Sequence, residues 1–221
     1  MTRLQRFVLV LPWILLSASL FGAGGLSQYR EFQLDSDLSG LAKQAGMHPS
    51  EAKVIHRRPA EIQELSWRGE SADSVKGIAF TFYNGTLFRM AVDYDRFNTE
   101  GLTAQDMIEA ISSTYGTAVY PSAEIAAPSV YGGDESVKVL ARWEDSAWSF
   151  NLVRFKYEPS FTLFAFSKQL QAEAQGAIDE AVRLDHLEAP QRAMERRNNE
   201  EEERRLLQEK ARIANRPDFR P

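Results

Sequence analysis

The residues that could do chemistry are few and scattered. His48-Pro-Ser-Glu51 followed by His56 gathers three metal-ligating side chains in a short stretch. A helical metal site needs its ligands on one face at i, i+4, and Pro49 disrupts that arrangement. His48 therefore reads as a loop histidine and His56 as a strand-surface histidine; His186 stands alone. Asp93-Tyr-Asp95, leading towards Gly101, has the opening of a calcium loop. Its fifth position is Phe97, which offers no oxygen, so the segment reads as a polar connection. Tyr131-Gly-Gly-Asp-Glu135 is rich in glycine. A phosphate cradle needs forward-pointing amides and usually a cation, whereas two carboxylates stand here. This segment reads as a surface loop open to a partner.

Two carboxylate pairs remain, Asp93 with Asp95 and Glu144 with Asp145. Neighbouring carboxylates can divide acid and base roles, so either pair would suit a hydrolase. No G-x-S-x-G elbow and no Ser-x-x-Lys box advertises a nucleophile. The sequence has no cysteine, which excludes thiol catalysis, zinc-thiolate sites and disulfides. The expectation is a protein without catalytic, cofactor-binding or metal-binding residues, with a hydrolase as the alternative. Arg57-Arg58 is too small a basic patch for nucleic acid, and the net charge of −5 supplies no attracting field.

The elements that would position these residues centre on Ile78 to Val92. Ile78, Phe80 and Phe82 alternate on one arm of a hairpin; Phe88, Met90 and Val92 alternate on the other. A two-residue Asn84-Gly85 loop would pair Tyr83 with Thr86, set Phe80 beside Arg89 and send Phe88 to the opposite face. A three-residue loop, Tyr83-Asn84-Gly85, would pair Phe80 with Phe88 and put all six apolar side chains on one face, and the buried face favours this register. Gly85 would supply the left-handed residue that such a loop requires. Burial of that face is worth on the order of 10 kcal/mol before chain entropy. Upstream, Tyr29 and Phe32 are spaced to touch a core edge. Asp37 caps a short helix over Leu38, Leu41, Ala42 and Ala45 that stops at Gly46. Residues 50–58 fit a helical turn or extended chain, and the extended form is favoured up to Pro59. Glu61 to Trp67 is a strand with Leu65 and Trp67 on one face.

A second unit begins near Phe97. Thr103-Ala-Gln-Asp106 has the form of a capping box, Met107, Ile108, Ile111 and Tyr115 form a buried stripe, and Gly116 ends the helix. Residues 117–136 are irregular. Val137, Val139, Ala141 and Trp143 alternate, then Trp148, Phe150 and Leu152, then Phe161 to Phe166. Gly46 and Gly116 thus each end a helix, and Trp67 and Trp143 each close a first strand. The expected fold is α+β, with two tandem helix-plus-three-strand antiparallel units over residues 26–98 and 99–167. Trp67, Trp143, Trp148 and the strand phenylalanines are mostly core, and those left on an open sheet face could anchor a partner.

From Lys168 the strand signals cease. Leu170, Ala174, Ala177, Ala181 and Leu184 repeat at steps of four and three, a docking or coiled-coil stripe that Pro190 is expected to interrupt. Beyond it, charge dominates, with Glu200 and Glu201 four residues before Arg204 and Arg205. Residues 168–221 form a charged helical tail whose second half should project into solvent. At the other end, Arg3 and Arg6, an apolar run from Phe7 to Leu16 broken by Pro12, and small residues Ala23-Gly24-Gly25 compose an export signal over residues 1–25. An uncleaved membrane anchor is the alternative. The chain would then work outside the cytoplasm, in a periplasm or beyond the cell.

The capped helix from Asp37 to Gly46, the Phe80 to Phe88 hairpin with Asn84-Gly85, and their echo at Thr103 to Gly116 and Trp148 to Phe166 resemble the β-lactamase-inhibitor-protein fold. The single unit is similar to SmpA/OmlA-type envelope lipoproteins. The lipid-bearing cysteine of the latter and the paired cysteines of the former are absent. The resemblance implies protein binding in the envelope or extracellular space. The expected function is an exported, non-catalytic interaction module for an unidentified protein or envelope partner, not for nucleic acid. A spacer that self-associates through its helical tail is a further alternative.

Overall fold

The computed structural model describes residues 25–70, 73–121, 125–126, 136–155, 160–217 and 220. The proposed export segment and the Tyr131–Glu135 loop lie outside the described residues, apart from Gly25. The fold is α+β: a seven-stranded antiparallel sheet, a small two-stranded sheet and a long C-terminal helix. The small sheet pairs β1 (Gln28–Tyr29) with β2 (Phe32–Gln33). After α1 (Leu38–Gln44) and a 3-10 turn at Pro49–Glu51 come β3 (Lys53–His56), β4 (Ile62–Arg68), β5 (Val75–Tyr83) and β6 (Thr86–Tyr94). Then follow α2 (Ala104–Tyr115), the two-residue β7 (Ile125–Ala126), β8 (Ser136–Glu144), β9 (Trp148–Arg154), β10 (Phe161–Ser167) and α3 (Lys168–Asn215). The main sheet runs β3-β4-β5-β6-β10-β9-β8, with β7 added outside β8. No helix among the described residues is long and apolar enough to cross a membrane.

One face of the sheet packs under α1, α2 and the β1–β2 hairpin. Phe32, Leu41, Phe80, Met90, Met107, Trp143 and Phe150 belong to this core. Both helices begin where the sequence says they should. The Asp37 carboxylate accepts the Gly40 N–H at 2.9 Å. Thr103 and Asp106 bond reciprocally, and Gly116 closes α2 at a φ of 90°.

The hairpin differs from the expected register. Its loop has two residues, Asn84 and Gly85, both at positive φ (48° and 81°), and Tyr83 pairs with Thr86. Phe80 pairs with Met90, not Phe88. The register shifts between Thr81 and Phe82, where Phe88 is the extra residue on β6. This bulge reconciles two demands that looked incompatible. The tight turn matches strand twist, while one inserted residue restores Met90 and Val92 to the core face. Leu87 fills the position expected of Phe88. Phe88 itself lies on the other face, wholly buried against Ile62, Ala174 and Ile178. A second shift, between Val139 and Ala141, splits the expected β8 row. Ala141 and Trp143 join the main core, and Val137 and Val139 pack with Ala91, Val153 and Phe164 instead.

The seam of α3 lies on that second face. Ala174, Ile178 and Ala181 are buried, with Leu170, Ala177 and Leu184 half-buried; Ile178 was absent from the expected stripe. Pro190 does not interrupt the helix, which is continuous for 48 residues. Proline removes one amide donor and crowds the preceding turn. Here Arg192 reaches back across it to Asp185 at 2.6 Å and Glu188 at 3.1 Å, and Arg58 holds Glu188 from the main body. Hydrogen bonding to these guanidinium groups holds both carboxyls below their usual range. From residue 189 to 217 every residue is exposed.

Candidate functional site

Most of the polar residues singled out by spacing have structural work. His48 caps the 3-10 turn: its ring Nδ1 accepts the Ser50 N–H, and Glu51 accepts the His48 N–H at 2.7 Å. His56 stands at the end of β3, beside the stretch of α3 that carries His186. Among the described residues no three His, Asp or Glu side chains converge as metal ligands. Asp145 accepts the Ala147 and Trp148 amides and shapes the β8–β9 turn, while Glu144 pairs with Lys168 at 2.8 Å. Asp93 and Asp95 do share one open depression of about 420 Å³, together with Asp73 and Lys76. Asp93 accepts the Thr162 hydroxyl, Asp95 accepts the Phe97 and Asn98 amides, and Asp73 is gripped by Arg30 at 2.6 and 2.8 Å.

The strand aromatics are core, and among the described residues the sheet leaves no aromatic face open to anchor a partner. Trp143 and Phe150 are buried, as is Phe164 on the opposite side, and Trp67 and Trp148 are half-buried against the main core. The indole N–H of Trp143 lies 3.2 Å from the Ser112 hydroxyl and 3.1 Å from the Gly116 carbonyl, which fastens the end of α2 to the sheet.

The exposed apolar surface is elsewhere. In the described globular part the large hydrophobic residues left exposed are Phe97, Leu102, Val119 and Tyr120. The first two precede α2 and the last two follow it. The helix is fastened by Met107, Ile108 and Ile111 beneath, so its outer side and both ends form a ridge. A depression of about 390 Å³ lies on one flank, lined by Tyr29, Tyr94, Leu102, Met107, Ile111 and Tyr115. Another of about 350 Å³ lies on the other, lined by Gln105, Ile108, Glu109, Ser112, Gly116 and Tyr120 among others.

The first depression is phenol-lined. The Tyr29 hydroxyl donates to that of Tyr94 at 3.4 Å. Burial raises both phenols, Tyr94 well above its ordinary value, and pushes Tyr115 up to about 12. All three stay neutral in ordinary buffers, so they act as hydrogen-bond donors and apolar walls rather than as bases. Arg30, at the rim, is held by the Asp73 fork. The hydrogen bond from Arg30 in turn keeps Asp73 well below the usual carboxylate range. An apolar pocket with neutral donors at its edge suits insertion of a side chain better than bond cleavage.

Periodicity places Met107, Ile111 and Tyr115 on α2 but says nothing about the connecting segments. Phe97, Leu102 and Tyr120 escape it for that reason. The available signal was large apolar residues in polar loops at both ends of one helix. No family model, no curated protein and no solved structure matches the chain.

Proposed function

We propose that the chain is an exported, non-catalytic interaction module that recognises a protein or envelope partner through the surface around α2. The observation that carries this is the confinement of exposed large apolar residues in the described globular part to the two ends of α2, beside two open depressions. Large apolar side chains grouped on a surface mark binding sites, and central aromatics dominate binding energy. The hydrolase alternative has less support, since Asp73, Asp93, Asp95, Glu144 and Asp145 each hold a structural partner.

The architecture supports an internal duplication. The meanders β4-β5-β6 and β8-β9-β10 are each preceded by a capped helix, and their last strands pair antiparallel, Val92 opposite Leu163. Two tandem helix-plus-three-strand units joined at that seam would account for the resemblance to β-lactamase-inhibitor-protein-like and SmpA/OmlA-like proteins. Export rests on residues 1–25. Leu9, Val10 and Leu15 replaced by charged residues should retain the protein in the cytoplasm; unchanged extracytoplasmic localisation would overturn the export assignment. Recognition is tested by quantitative capture from envelope extracts with wild-type chain, a Phe97→Ser/Tyr120→Ser variant and a Lys53→Ser control. A partner retained by the wild type and the control but lost by the α2 variant supports the assignment. Equal capture by all three chains sinks it.

A further inference from the structure

We infer that the occupant of the α2 surface is the distal end of α3 from a second copy of this chain. This rests on the assignment of α2 as the recognition surface and deepens it. Residues 204–216 end the long helix and are wholly exposed. Leu206, Leu207, Ile213 and Ala214 fall at i, i+1, i+7 and i+8, which gathers them on one face around Lys210. Leu206, Leu207 and Ile213 are 53%, 59% and 64% exposed. The same stretch carries Arg204, Arg205, Lys210, Arg212 and Arg216 against a single acid, Glu209. It is a basic amphipathic helix with its apolar stripe uncovered.

The α2 surface is its complement. Residues 95–120 hold Asp95, Glu100, Asp106 and Glu109 against one cation, Arg96, and include the exposed apolar residues described above. A ridge with two flanking depressions suits an amphipathic helix laid alongside it. Opposite charge speeds such an encounter and fixes its orientation.

The tip cannot serve its own chain. At about 1.5 Å per residue, the exposed helix from 189 to 215 extends about 40 Å. It is continuous through Pro190 and makes no return towards α2. The contact is therefore between molecules. If each tip docks on the other chain's α2, the pair closes with two-fold symmetry; if not, copies add head to tail.

Sedimentation velocity of the full chain over a range of concentration and salt tests this. The wild type should self-associate, less so as salt rises. At exposed positions, Glu100→Lys/Glu109→Lys makes the α2 segment net positive and Arg205→Glu/Arg212→Glu cancels the net charge of the tip. Each variant alone should associate about tenfold more weakly or worse, because the first sets like charges against each other and the second removes the attraction of the tip. An equimolar mixture of the two should associate more strongly than either alone, since the unaltered tip of one variant then meets the unaltered α2 of the other. Circular dichroism checks that both variants keep their helices. A wild type that stays monomeric throughout overturns the inference, as does association indifferent to both reversals. Binding of a monomeric wild type to phosphatidylglycerol vesicles, lost in Arg205→Glu/Arg212→Glu, would assign the tip to an anionic membrane instead and equally overturn it. Capture sensitive to Phe97→Ser/Tyr120→Ser from a monomeric chain would leave α2 as a recognition surface and remove only the second copy. Absence of both effects removes both.

Discussion

Truncating Phe88 to alanine should cost about 3–5 kcal/mol and release α3 from the sheet. Phe88 is the inserted residue of the β6 bulge and is wholly buried among Ile62, Ala174 and Ile178. Phe-to-Ala changes at such sites remove a large apolar area and leave a cavity, which sets the quoted range. The Arg89 guanidinium lies 5.3 Å from the ring centroid, and its attraction to the ring face is lost as well. The damage should be uneven. The helix is held by a narrow seam from Leu170 to Ala181, so this contact is a large share of its attachment. Urea unfolding measures the global loss, and amide exchange shows where it falls. Amides of residues 174–181 should drop to the protection of residues 195–214, while β5 and β6 should lose only as much protection as the fall in global stability takes from every core strand. Phe80→Ala, on the opposite face, should lower global stability without selectively freeing α3. A loss below about 1 kcal/mol for Phe88→Ala, with α3 protection unchanged, would refute the bulge as the helix anchor.

Gly85→Val should lower stability by about 1–3 kcal/mol, because no atom crowds the site and the cost is that of a β-branched residue at positive φ; an unchanged thermal midpoint would reject it. Pro190→Ala should strengthen the helix locally by up to about 3 kcal/mol, seen as increased helical circular dichroism and slower exchange just beyond residue 190. Equal spectra would mean that the Arg192 contacts already compensate fully. Asp73 has a depressed folded pKa, so its contribution is present above the unfolded carboxylate value near 4 and is lost as pH falls through the folded one. With Arg30 and Asp73 partly exposed, solvent screening holds it to about 1 kcal/mol or less. Asp73→Asn should flatten the acid limb of the stability profile by that amount, and identical limbs would show that the fork is thermodynamically silent.

The parts of the fold visible in the sequence are those written in local signals. Asp37, the Thr103–Asp106 pair, Gly46 and Gly116 mark helix ends because capping is settled within a few residues. The bulges were not visible, and each reverses the facing of part of a strand. Alternation alone assigns Phe88 to the core beside Phe80 and keeps Val139 in line with Trp143. A single extra residue breaks that parity without changing composition. At Phe88 a hint existed: Asn84-Gly85 favours a two-residue turn, and that turn is compatible with the apolar rows only if one strand carries an insertion. Pro190 misleads in the other direction. Its missing amide and its ring favour a break locally, but the ion pairs of Arg192 with Asp185 and Glu188 bridge it, and Arg58 anchors Glu188 to the main body.

The candidate site was hidden for a related reason. Strands display aromatics in rows, and those rows are packed into the cores on the two faces of the sheet. Apolar residues that no element needs must lie where periodicity is silent. Phe97 and Leu102 sit in the turn-rich segment before α2, Val119 and Tyr120 in the extended segment after it, and neither segment repeats with a helical or strand period. Their relation appears only when α2 brings its two ends onto one ridge. The tail follows the same logic. Leu206, Leu207 and Ile213 fail to continue the heptad of Leu170 to Leu184, so they look like noise within a charged helix. On a rod of about 40 Å with no neighbour among the described residues, they form a face that the described globular body does not cover. A basic, apolar tip at the far end of the rod and an acidic segment with exposed apolar residues at both ends of α2 are complementary, and contact between copies would cover both.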